Sequence, residues 1–111
     1  GDFREPARRE IQKLGSRCIW QLADSAQRSA ARDRDYALTT ARLIAQIVDY
    51  AGAPYTLPLL ELDDEELRLI VFRGVRDRTG TDAGTDEAFW QQASIERRRT
   101  AIADWQRLLR R

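Results

Sequence analysis

Apolar residues recur at three- and four-residue steps along most of the chain, which is the period of a helix with one buried face. Ala7, Ile11, Leu14, Cys18, Leu22 and Ser25 share one such face, widened by Ile19 and Ala26. Pro6 suits the first helical position, where its missing N–H would have no partner anyway. The pattern predicts a first helix over about 6–31, with Gly15 marking a close helix crossing. Tyr36, Thr40, Leu43, Ile44, Ile47, Val48 and Ala51 predict a second helix over about 36–51, capped by Asp33 or Asp35. Only Arg42, Gln46 and Asp49 give it a polar strip, so it reads as the most buried helix. Gly52 is the expected left-handed stop, reinforced by Pro54.

A third helix over about 63–77 starts at Asp63 as cap, with Glu66 completing a capping box and Leu62 and Leu67 in staple positions. Its buried stripe is Leu67, Ile70, Val71 and Val75, and Gly74 weakens it near its end. A fourth helix over about 86–109, starting at Thr85 or Asp86, carries Ala88, Ile95, Ile102, Trp105 and Leu109. Between these elements, Ala53–Leu60 holds two prolines and is expected to cover a core edge without regular structure. Arg78–Asp86 is the most loop-like run. The expectation is therefore an all-α fold: a single domain over 1–111, a compact bundle of about four helices with the first two as an antiparallel hairpin.

Length and composition agree with one domain. The 111 residues are 42% hydrophobic and 33% charged, enough apolar side chain for a core and too much for a disordered segment. Nothing approaches the roughly 20 apolar residues of a membrane span, and the start does not read as a signal peptide, so the expectation is cytoplasmic with no membrane partner. One cysteine excludes an internal disulfide. Cys18 lies on the apolar face with no histidine in the chain to activate it.

Charge alters the picture by where it sits. The totals nearly cancel, at 19 basic and 18 acidic residues, and every basic residue except Lys13 is arginine. Residues 61–72 hold five acids against Arg68 alone, a local charge of −4. Residues 88–111 hold six arginines against Glu96 and Asp104, a local charge of +4. The plain reading is two solvated helix faces. The sharper one is head-to-tail association of acidic patch with basic patch. Cations late in a long fourth helix also suit its dipole.

Several residues are interaction candidates. Arg98 falls inside the apolar stripe between Ile102 and Trp105, so it either snorkels past the core edge or meets a carboxylate, a phosphate or a partner. Arg97, Arg98 and Arg99, with Arg107 and Arg110, could grip a nucleic-acid backbone. Trp20 lies opposite the core face of the first helix. Trp90 follows Phe89, and the two rings cannot both face one stripe. Each tryptophan is either a wide-core residue or an interface anchor. The acids at Asp63, Asp64, Glu65 and Glu66 point in successive directions around a helix and do not converge as a metal or acid–base site. The loop Thr79–Gly84 lacks the lysine and spacing of a phosphate loop and the ligand spacing of a calcium loop.

The segment ARLIAQIVDYAGAP (41–54), followed by ELDDEEL (61–67), resembles the central oligomerisation region of phage terminase small subunits. The resemblance implies an oligomerising helical fragment. The chain departs from that family in having no clear N-terminal helix-turn-helix, and no functional residue is carried over.

These readings predict a non-enzymatic helical module for protein–protein interaction or oligomerisation, through a protein partner or self-association, with no catalytic residue, metal or cofactor. The alternative is a nucleic-acid-associated helical protein using the arginine-rich C-terminal helix.

Overall fold

A computed structural model describes residues 18–110, and every described element is helical. The expected start near Pro6 and the reading of Gly15 lie outside the described residues. Within them, α1 covers 18–29 and α2 Arg34–Ile47. Two short elements follow, α3 (Ala53–Thr56) and a 3₁₀ segment (Leu57–Glu61). Then come α4 (Glu65–Thr79), α5 (Glu87–Gln92) and α6 (Ile95–Leu109).

The four starts at α2, α4, α5 and α6 each have a side-chain cap. Asp33 accepts from the Tyr36 N–H at 3.1 Å and Asp86 from the Phe89 N–H at 2.8 Å. For α4 the cap is Asp64, one residue later than expected, accepting from the Leu67 N–H at 3.2 Å. Leu67 thus occupies the position assigned to Glu66, and Glu66 is left to pair with Arg34.

The interior is continuous. It joins Ile19, Ala23 and Ala26 of α1, Ala41 and Ile44 of α2, the 3₁₀ leucines 57, 59 and 60, Val71 and Phe72 of α4, and Ile102 and Trp105 of α6. The crossing of α2 and α4 is unusually close. A Cβ built on Gly74 would lie 2.5 Å from the Ala45 Cβ, so this glycine is a contact point inside α4 rather than a weak spot near its end. The left-handed residue that stops α4 is Gly80, with φ at 77° and its N–H bonded to the Arg76 carbonyl.

Three expectations are corrected. First, α2 ends at Ile47, because the Asp49 carboxylate accepts the Gly52 N–H at 2.7 Å and turns the chain. Gly52 is right-handed (φ −83°), and what it supplies is space, since a Cβ there would come within 3.0–3.2 Å of Asp49 and Ile19. Second, Ala53–Leu60 is regular. Pro54 and Pro58 each sit in the first turn of a short helical element, where no N–H is needed. Third, the stretch 86–109 is two helices. Ala93 is extended, and the Ser94 hydroxyl accepts the Arg97 N–H at 3.3 Å to start α6 afresh. Two inserted turns and this break explain why four helices were expected and more are present.

Candidate functional site

The break before α6 decides where its arginines go. Arg97, Arg98 and Arg99 fall in the first turns of α6, at the positive end of the helix dipole, rather than late in a long helix. A cation there needs a tertiary reason, and each has one. The Arg97 guanidinium stacks over the Phe89 ring at 5.5 Å. Arg99 pairs with Glu61 at 2.9 Å. Arg98 is buried, 4% exposed.

Arg98 neither snorkels out nor reaches for a partner. It donates to the carbonyls of Leu60 at 3.0 Å, Ala93 at 2.7 Å and Glu61 at 3.1 Å, with Asp63 at 3.5 Å. Arg68 of α4 works beside it. It donates to the carbonyls of Trp90 at 2.7 Å and Leu62 at 2.8 Å, and more weakly to Gln91 at 3.4 Å. Burial, then the Arg98 charge, holds the Arg68 guanidinium below the usual arginine range. Together the two side chains satisfy the last carbonyls of the 3₁₀ segment and of the α5–α6 elbow. They form a seam between residues 60–63 and 90–93. The same wheel that puts Arg98 among apolar positions puts Arg68 beside Val71 and Phe72, so its burial was detectable.

Trp90 is corrected as a surface candidate. It is fully buried, its ring 6.1 Å from Phe72 and 6.4 Å from Trp105. Its indole N–H donates to Thr85 Oγ1 at 2.9 Å. Of the two readings left open for it, the core one holds: α5 turns Trp90 inward while Phe89, edge-on to it at 4.8 Å, stays half-buried. Trp20, by contrast, is 51% exposed on α1.

At the other end of α6, Arg107 pairs with Asp104 one turn back, and Arg110 makes no ion pair among the described residues. Between them Leu108 is exposed. This end is anchored, since the Tyr50 hydroxyl donates to the Leu108 carbonyl at 3.2 Å. Beside it a shallow depression of about 400 Å³ is lined by Pro54, Tyr55, Pro58 and Leu109. None of Tyr50, Tyr55 or Leu108 was singled out from the sequence, because each falls just off an apolar stripe.

The acidic segment lines an open groove of about 880 Å³. Ala30, Leu62 and Leu69, all half-buried, form its floor, and exposed Ala31 lies at its edge with Asp63, Asp64, Glu65 and Glu66. Arg34 enters from α2, bonding Asp64 at 2.7 Å and Glu66 at 2.8 Å. Partial burial works against the Asp64 carboxylate, but hydrogen bonds from Arg34 and the Leu67 N–H outweigh it and lower its pKa. Glu65 makes no ion pair among the described residues, and the Asp63 side chain is 99% exposed. Much of the charge asymmetry is therefore neutralised within the molecule, by Glu61 with Arg99 and by Arg34 with two acids.

No described group of three or more Cys, Asp or Glu side chains is arranged to hold a metal ion. No described helix is long and apolar enough to cross a membrane. Comparison with protein families, characterised proteins and solved structures finds no match for this chain.

Proposed function

We propose that this protein is a non-enzymatic helical interaction module that associates with further copies of itself. The observation that carries the reading is the division of its aromatic residues. Phe72, Trp90 and Trp105 fill the interior, while all three tyrosines (Tyr36, Tyr50 and Tyr55) and Trp20 are exposed at 46–55%. Tyrosine and tryptophan at the surface are large, rigid and half-polar, the side chains that dominate protein–protein contacts. The arginines weighed for nucleic acid support that alternative less well, because Arg98 is buried and Arg99 already faces a carboxylate across the fold.

The test is molar mass in solution by light scattering over a wide range of protein concentration. Mass rising above the monomer with concentration is the expected result. A monomer throughout, with salt-sensitive binding to a DNA or RNA fragment, would replace this reading with the nucleic-acid one.

A further inference from the structure

The two ends of the fold are complementary to each other. One end offers the groove, with Leu62 and Leu69 in its floor; on its rim the Asp63 side chain is 99% exposed, touched only by Arg98 at 3.5 Å, and Glu65 makes no ion pair among the described residues. The other offers the last turn of α6, where exposed Leu108 stands between Arg107 and Arg110. The Tyr50–Leu108 hydrogen bond holds that turn in place, so little order is lost when it docks. Arg107 is engaged only by Asp104 within its own helix, and such an exposed pair exchanges partners at little cost.

We propose that the C-terminal turn of α6 in one copy inserts into the acid-rimmed groove of a second copy, joining chains head to tail. This rests on the self-association reading and names its contact. The α6 end of a copy cannot reach that copy's own groove. Arg34, at the groove, begins α2, and Tyr50, at the α6 end, lies beyond its far end; the 14 residues of α2 put roughly 21 Å between them at about 1.5 Å each. The two faces differ, so the contact is heterologous and leaves one groove and one helix end open at the termini of every growing chain. A helix end in a groove buries less than the roughly 1,200 Å² of a stable interface, so assembly depends on concentration. Its ionic rim is exposed, so assembly weakens at high salt.

Two variants separate the faces. Ala31→Arg with Glu65→Arg blocks the groove at exposed positions and leaves the helix end intact. Arg107→Ala with Leu108→Ser and Arg110→Ala disables the helix end and leaves the groove intact. Circular dichroism confirms that each is folded. By sedimentation at low salt, the wild-type protein is expected to grow past the dimer, and each variant alone to lose at least about tenfold in association constant. An equal mixture of the two variants is expected to form a heterodimer and nothing larger, because it holds one working groove and one working end per pair. A wild-type assembly that either variant retains, or a mixture that stays monomeric, overturns the docking while self-association stands. A wild-type monomer at every concentration overturns both.

Discussion

The two ends of α6 carry the same residue type to opposite effect. At its start, arginine is structural: Arg98 gives its donors to three backbone carbonyls, and its neighbours are taken up by Phe89 and Glu61. At its end, Arg107 and Arg110 flank an exposed leucine, and their side chains make no ion pair or hydrogen bond to another element among the described residues. A count of basic residues merges these ends into one arginine-rich helix. What separates them is whether the guanidinium donors are consumed within the fold. An arginine whose N–H groups already face carbonyls cannot serve a phosphate or a partner as well.

The largest effect should come from breaking the buried end. Arg98→Ala leaves the carbonyls of Leu60, Ala93 and Glu61 short of donors, at about 1–3 kcal/mol for each that stays dry. A loss of about 3–5 kcal/mol is expected by urea denaturation, with Arg98→Lys recovering only part of it because one ammonium cannot span the same fork. Gly74→Ala probes the interior by size rather than by hydrogen bonds. With its Cβ 2.5 Å from that of Ala45, overpacking should cost about 1–3 kcal/mol, and Ala45→Gly in the same chain should restore much of the melting temperature.

Asp64→Ala removes the α4 cap and a partner of Arg34 at once, for about 1–2 kcal/mol. Its pH dependence has a defined sign. The folded carboxyl is more acidic than the unfolded one, so its contribution is complete above an unfolded value of about 4 and disappears as pH falls through the lowered folded value. Unfolding curves of wild type and Asp64→Ala should therefore converge in acid. The smallest effect on stability belongs to the exposed end. Arg110→Ala and Leu108→Ser should each change unfolding free energy by about 0.5 kcal/mol or less. If Leu108→Ser instead cost as much as Gly74→Ala, the contrast between the two ends would collapse.

How much of this was legible depended on local signals. Asp33 was readable as one of two candidate caps and Asp86 as one of two candidate helix starts, and Ile102, Trp105 and Leu109 as a buried stripe, because all depend on spacing within one helix. The break at Ala93–Ser94 was not readable: Ser94 has Arg97, not Glu or Gln, three residues on, and neither residue forbids a continuous helix. From that one miss came the inverted dipole argument for Arg97–Arg99. The turns at Pro54 and Pro58 were obscured because proline both breaks helices and begins them. The groove was invisible for a different reason, since its floor joins residue 30 to residues 62 and 69, which only the packed chain brings together.

The buried seam also gives the protein a built-in reporter of its own opening. Trypsin cuts after arginine, and this sequence carries 18 arginines. Cleavage after Arg68 or Arg98 requires the segments around 60–63 and 90–93 to come apart, whereas cleavage after Arg107 requires only the last turn of α6 to fray. Where opening and reclosing are fast relative to cutting, the ratio of early fragments reads the population of the opened seam directly, without a label or an engineered site.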